Sequence, residues 1–309
     1  MNRDRANDEA KVVALMTCHN RRDLTVKCLK LLEAASSGLS VSIVLVDDGS
    51  SDGTAEAARQ QWPGIRVVDG DGELFWAGGM ALAERTALEE FPDATHLLWL
   101  NDDVELDHDA LTRLLDLSAN EPRAVIAGAL HAPHSNEITY SGLERPDRHP
   151  MRYRRVSPSA AALPVETFNG NLVLVPRPAA LQLGGIDSAF GHQLADLDYG
   201  HRAHDAGLPV LLAAGTFGSC SRNAAPIAGS LRQRWSEFNG PKGSPLAPRV
   251  RFLRRHGGHA WPIYLAPPYL RLLVGRNIHG TQPASATAEK STVKRRQNTR
   301  DKPFDHRIK

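Results

Sequence analysis

Three acidic groupings and one polar cluster carry the chemistry that this sequence can offer. They are TCHN at 17–20, VDDGSSDGT at 46–54, WLNDDV at 99–104 and DLDYGHRAHDAG at 196–207. Carboxylate oxygens are hard ligands that suit Mg²⁺ or Mn²⁺, and such a cation neutralises charge on a departing phosphate. A carboxylate within hydrogen-bond reach of a hydroxyl can instead act as a general base. Asp side chains also accept hydrogen bonds from a base or a ribose edge. Each grouping has a plainer reading. Asp47, Asp48 and Ser50 can simply satisfy the amides of a capped turn, and Asp102 and Asp103 can be solvated carboxylates that start a helix. Between these groupings lies GDGELFWAGGMALA at 70–83, a Gly-rich bend leading into a helix expected to begin near Gly79. A helix start offers free backbone amides to an anion or a sugar. Trp76 is either a flat apolar wall for a sugar ring or a buried indole with its N–H satisfied.

The elements that must position these groups are legible in the hydrophobic pattern. VVALM at 12–16, VSIVLV at 41–46, IRVV at 65–68 and LLWL at 97–100 read as buried strands. Leu24, Cys28, Leu31, Leu32 and Ala35 have helical spacing and stop at Gly38, Thr54 opens a helix over 55–61, and a further helix is expected around Ala81–Glu90. Buried strands alternating with helices predict an α/β fold, a mostly parallel central sheet with helices on both faces. In such sheets ligands bind beyond the carboxyl ends of the strands, where the strand order reverses. TCHN, DDGS and NDD all fall at those ends. After residue 123 the pattern is more mixed, and the Pro- and Arg-rich stretch 145–164 reads as a mobile loop.

The chain has 309 residues, 41% of them hydrophobic, and its formal charge of +2 conceals an asymmetry. Residues 1–230 hold 20 Lys and Arg against 31 Asp and Glu, and residues 231–309 hold 17 against 4. The expected organisation is a flexible N-terminus over 1–10, one α/β domain over 11–230, a basic aromatic extension over 231–279 and a disordered basic tail over 280–309. Arg249, Arg251, Arg254 and Arg255 alternate with Phe252, Trp261, Tyr264 and Tyr269, a composition that fits an anionic membrane surface or a phosphate. Three widely spaced cysteines, Cys18, Cys28 and Cys220, form neither a disulfide framework nor a zinc motif. The N-terminus MNRDRANDEAK has no apolar leader, and no run approaches the length of a membrane span. The expected location is the cytoplasm, at most peripheral to the inner face of the membrane, with no nucleic-acid partner.

The order and spacing of MTCHN at 16–20, VDDGSSDGT, WLNDDV and DLDYGHRAHDAG resemble the family-two glycosyltransferases, bacterial surface-polysaccharide and rhamnosyltransferase-like, over most of residues 11–222. The resemblance implies the GT-A fold and a metal-dependent inverting transfer from a nucleotide-diphosphate sugar, dTDP- or UDP-linked, to a glycan or polyprenyl-diphosphate-linked hydroxyl. It places the metal, Mn²⁺ or Mg²⁺, at Asp103. The donor goes to Thr17, Asn20, Asp48, Gly79 and Asp102, the catalytic base to Asp196, and the acceptor side to Trp76, Asn169, Gly170 and His192. His192 precedes Asp196 by one helical turn if that segment is helical. The family's first acid before the base is replaced by Ala195, and Asn101 stands where some relatives have a third Asp. Two rivals remain: a homologue that binds nucleotide-sugar or glycan with weak or no turnover, and a sugar-phosphate nucleotidyltransferase. The latter needs a glycine-rich phosphate loop after the first strand, and TCHNRRD has no glycine.

Overall fold

The chain is described by a computed structural model that covers residues 10–222, 235–236, 240 and 245–274. Except for Ala10, the expected flexible N-terminus lies outside the described residues, as do the tail over 280–309 and most of 223–244. Strand β1 (Lys11–Cys18) is followed by helix α1 (Arg22–Ala35), β2 (Ser40–Asp47), α2 (Thr54–Gln61), β3 (Arg66–Asp69), α3 (Phe75–Glu90) and β4 (His96–Leu100). Then come β5 (Glu105–Leu106), α4 (Ala110–Asn120), β6 (Val125–His131), β7 (Ile138–Tyr140), β8 (Gly142–Glu144), β9 (Arg154–Arg155), β10 (Leu163–Pro164) and β11 (Thr167–Phe168). The chain continues through β12 (Leu172–Pro176), α5 (Arg177–Leu183), α6 (Ala195–Asp205), β13 (Val210–Ser219), α7 (Leu246–His256) and α8 (Trp261–Val274).

The main sheet runs β10-β13-β6-β12-β4-β1-β2-β3, with β5 added to β13 and β7 to β6. β1 pairs in parallel with both β2 and β4, and β2 with β3. The chain thus builds outward from β1 to β3 and then returns to the other side of β1 with β4. The space between β1 and β4 is the switch point at which such sheets bind ligands. β12 enters antiparallel between β4 and β6, so it starts where its neighbours end.

Both faces of the sheet are covered, as the continuous apolar strands require. Val13, Leu15, Val44, Val46, Leu97 and Trp99 point to one core, with α3, α5 and α6. Val12, Ala14, Met16, Ile43, Leu45, Leu98 and Leu100 point to the other, with α1 and α4. Burying one such side chain contributes roughly 1.5–3 kcal/mol, and a surface ion pair only about 0–1 kcal/mol, so these two layers hold the fold. In α1 the buried stripe is Thr25, Cys28, Leu29, Leu32 and Ala35. Leu24, read as part of that stripe, is 45% exposed.

Two expectations are corrected. Helix α3 starts at Phe75, not near Gly79, because the amides of Gly72, Leu74 and Phe75 all donate to the Asp48 carboxylate. An anion at a helix start extends the helix by satisfying its orphan donors. The stretch 145–164 is pinned rather than loose: β9 pairs with β8, β10 pairs with β13, and Arg155 donates to the carbonyls of Ile138 and Thr139. Three of the four arginines over 249–255 also make contacts within the protein. Arg249 is buried and donates to Met151, while Arg251 and Arg255 bind Asp187. Among the described residues no helix is long and apolar enough to cross a membrane.

Asp198 is the anchor for α7. It is fully buried on α6 and accepts from Arg202 of its own helix at 2.8 Å, from Arg255 at 2.6 Å and from His256 at 2.9 Å. These partners outweigh burial and hold its carboxyl down at about 2. A depressed carboxylate stabilises the fold fully above its unfolded value, and the benefit is lost as pH falls through about 2. Removing one member of a buried ion cluster strands the others, so Asp198→Ala should cost about 3–5 kcal/mol in chemical denaturation. A loss under about 1 kcal/mol, the range of surface pairs, would show that the cluster is not what ties α7 to α6.

Candidate functional site

The parallel register brings the strand ends to one edge. Cys18 lies opposite Asp47, Asp47 opposite Asp69, and Leu15 opposite Trp99, so the residues after β1, β2, β3 and β4 emerge together. The first residues of β12 join them, since Asn101 donates its amide to the Asn171 carbonyl at 3.0 Å.

On the β2 side, Asp47 closes its turn by accepting from the Ser50 amide at 2.9 Å. Asp48 is 4% exposed and has three amides of the 72–75 segment on its two oxygens. It therefore shapes the Gly-rich bend, and the contact with a base expected of it would share its oxygens with these amides. Asn20, with φ 50°, ties the β1 loop to this turn through Ser50 and Ser51. Thr17 is half-buried at the end of β1, directly against Gly79. A methyl at Gly79 would collide with the Thr17 side chain, so this glycine lets α3 lie on the strand end. Its amide is inside the helix rather than free, which corrects its expected role as an amide donor.

On the β4 side, Asp102 turns inward at 3% exposure and Asp103 remains the outward carboxylate, with 19% of its side chain exposed. Arg21 bridges the two, donating to Asp102 Oδ1 and to Asp103 Oδ2 at 2.7 Å each. Burial pushes the Asp102 carboxyl up to about 7; Arg21 opposes this rise and Asp103 adds to it. Asp102 Oδ2 is buried with no hydrogen-bond partner among the described residues. Cys220, at the end of β13, sits 3.4 Å from Asp103 Oδ1.

Both carboxylates are hard oxygen donors, and Asp103 keeps part of its side chain open to solvent beside the inward Asp102, so the pair fits a divalent cation. Among the described residues no three His, Cys, Asp or Glu side chains converge on one point. That also fits, because Mg²⁺-type sites use one or two carboxylates and complete their shell with water and substrate phosphate.

The acceptor-side residues meet at Trp76. Its indole N–H donates to Asn101 Oδ1 at 2.8 Å, and its ring packs edge-on against the buried Trp99. Trp76 is half-buried, so the wall and the satisfied-indole readings both hold in part. Any Cβ at Gly170 would lie 2.7 Å from the Trp76 ring and 3.1 Å from Asp196 Cβ. Asp196 is half-buried at the start of α6, and its two oxygens accept from the amides of Gly170 at 3.0 Å and Leu197 at 2.8 Å. Burial pushes its carboxyl up, against the pull of those amides. Asn169 exchanges hydrogen bonds with Ser141 and so holds the loop before β12 in place. His192 is half-buried in the turn 191–194, and because α6 begins only at Ala195 the one-turn spacing to Asp196 is not realised. Contacts therefore run from Arg21 through Asp102, Asp103 and Asn101 to Trp76, Gly170 and Asp196.

The sequence profile of Glycosyl transferase family 2 matches residues 13–170. The chain belongs to that family. A glycosyltransferase of this family has the GT-A fold, and the β1–β4 switch point with its carboxylate pair fits it. N-acetylglucosaminyl-diphospho-decaprenol L-rhamnosyltransferase from two strains of Mycobacterium tuberculosis is 29% identical over 194 residues, 54% of this chain and 62% of each relative. The match thus spans less than two thirds of those proteins. A mannosyltransferase from Pyrobaculum calidifontis, solved with GDP-Man and Mn²⁺, aligns with 86% of this chain and 73% of its own at 16% identity and a TM-score of 0.49.

Two site residues escape the sequence reading. Arg21 stands beside the TCHN cluster, and its signal is a cation immediately after an otherwise acidic edge. Cys220 carries only its place at a strand end. Gly170→Ala tests the close approach at Trp76. Overpacking costs about 1–3 kcal/mol, and displacing Trp76 or Asp196 should lower turnover at least about tenfold, since a misplacement near 1 Å can cost more than that. Turnover within twofold of wild type would show that the Trp76–Asp196 contact is not needed.

Proposed function

We propose that this glycosyltransferase is a metal-dependent inverting enzyme that moves a sugar from a dTDP- or UDP-linked donor to a hydroxyl of a glycan carried on a polyprenyl diphosphate. The observation that carries the reading is the placement of Asp196. Its carboxylate is oriented by two amides and lies across Trp76 from the acid pair that follows β4. A donor sugar seated against Trp76 would have the diphosphate side at Asp103 and the acceptor side at Asp196. In one displacement the acceptor O–H gives its proton to Asp196, its oxygen bonds to the anomeric carbon, and the bond from that carbon to the phosphate oxygen breaks with its electron pair. Asp103, with Asp102 beside it, would hold the cation, which would supply charge neutralisation for the departing nucleoside diphosphate.

The mycobacterial relatives' name supports L-rhamnose as the sugar and a polyprenyl-diphosphate glycan as the acceptor. We place the catalytic unit at 11–230 and the extension at 231–279, whose helix α7 docks on the unit through Arg251, Arg255 and His256. A peripheral membrane contact is assigned to the extension, where Ile263 of α8 is 73% exposed and Arg254 covers Trp261. Ala195, found where relatives have an acid, is fully buried in the core. A carboxylate there would need a partner, so its loss does not argue for an inactive homologue.

Asp196→Asn should abolish transfer while nucleoside diphosphate binding stays near wild type, and a variant with native turnover would remove Asp196 from the mechanism. Because burial raises this carboxyl, the acid limb of kcat/KM should lie above the ordinary aspartate value of 3.8. Slow release of nucleoside diphosphate from donor with Mn²⁺ separates a competent enzyme from a pure binder, which would release none. Thermal shifts with UDP, dTDP, GDP and CDP, with and without Mn²⁺, identify the base. A shift with GDP or CDP alone would reject the donors favoured here.

A further inference from the structure

Arg21 is placed to do more than neutralise the acid pair. Its backbone is fixed at the start of α1, where its carbonyl accepts from the Thr25 amide at 2.9 Å. Its guanidinium does not fork onto one carboxylate. It spans two, with one nitrogen on Asp102 Oδ1 and the other on Asp103 Oδ2. The arginine side chain is 39% exposed, against 4% for Asp102 and 19% for Asp103, so it covers the pair from the solvent side. A cation that takes oxygens from the same carboxylates must break at least one of these bonds. The released guanidinium, a planar fork suited to phosphate, then belongs to the strand edge at which a diphosphate would lie.

We propose, on the donor-site reading above, that Arg21 is an exchangeable counter-ion: it occupies the acid pair when no donor is bound and becomes a ligand of the nucleoside diphosphate when the cation takes its place. The cation and the nucleotide then bind together, each weakly without the other. Arg21 adds to nucleotide affinity and subtracts from the affinity for metal alone. A purely structural arginine would do neither, because its loss would leave the carboxylates no more open to metal and the diphosphate no worse held.

The test uses the full chain with Arg21→Gln and Arg21→Lys, each compared with wild type by thermal unfolding. Free Mn²⁺ is titrated by electron paramagnetic resonance at pH 8 without nucleotide. UDP and dTDP are then titrated calorimetrically at saturating Mn²⁺. Losing hydrogen bonds to charged groups should make Arg21→Gln bind Mn²⁺ alone about tenfold tighter and the nucleoside diphosphate about tenfold weaker than wild type. Arg21→Lys keeps the charge without the fork and should move both affinities in the same directions by less. It carries the test if the glutamine variant does not fold. Unchanged or weaker Mn²⁺ binding by the variants overturns the exchange, as does unchanged nucleotide affinity. A wild-type chain that binds neither UDP nor dTDP overturns the donor reading itself, whereas normal wild-type binding beside unaltered variants overturns Arg21 exchange alone.

Discussion

The parallel pairing of β4, β1 and β2 is the constraint on which the site depends. Because Leu15 pairs with Trp99 and Cys18 with Asp47, the chain must leave all three strands at one edge. A slip of one residue would turn every core side chain to the opposite face of the sheet. With both faces buried, the sequence tolerates no such slip. The site polar groups are therefore placed by apolar packing some distance away, and β12, inserted antiparallel, delivers Gly170 and Asn171 to the same edge.

An edge that gathers so many carboxylates must balance them, and each is matched differently. Asp48 is satisfied by the amides that open α3, so its charge is spent on building the Gly-rich bend. Asp102 and Asp103 share Arg21. Asp198 is held by Arg202, Arg255 and His256, the last two from α7, which ties α7 to the helix that carries Asp196. Asp196 has backbone amides and no cation among its named partners. Its partners orient it without a fixed counter-charge and burial raises its carboxyl, which suits a base that must gain and lose a proton.

Much of this was readable from the residues. The strands announce themselves by unbroken apolar runs, and the clusters after them mark the edge. The motifs carry the family. What stayed hidden depends on distant partners. The start of α3 cannot be read from GDGELFWAGG, because the group that caps it, Asp48, lies over twenty residues upstream. The loop 145–164 has the composition of a mobile segment, yet it is held by backbone pairing with β8 and β13 that no local pattern reveals. Arg249, Arg251 and Arg255 look like a free basic surface in sequence, and only the structure shows Arg249 buried against Met151 and the other two paired with Asp187 and Asp198. Arg21 has no motif at all, and its importance appears once β1 and β4 are seen side by side.

A crystal structure with the nucleoside diphosphate and Mn²⁺ bound would show where the donor and its cation sit. The expected result is the diphosphate at the β1–β4 edge, with Asp103 among the metal's ligands, Arg21 off the acid pair, and Asp196 facing open space across Trp76. A nucleotide seated elsewhere on the sheet, or a metal with no oxygen from Asp102 or Asp103, would contradict it.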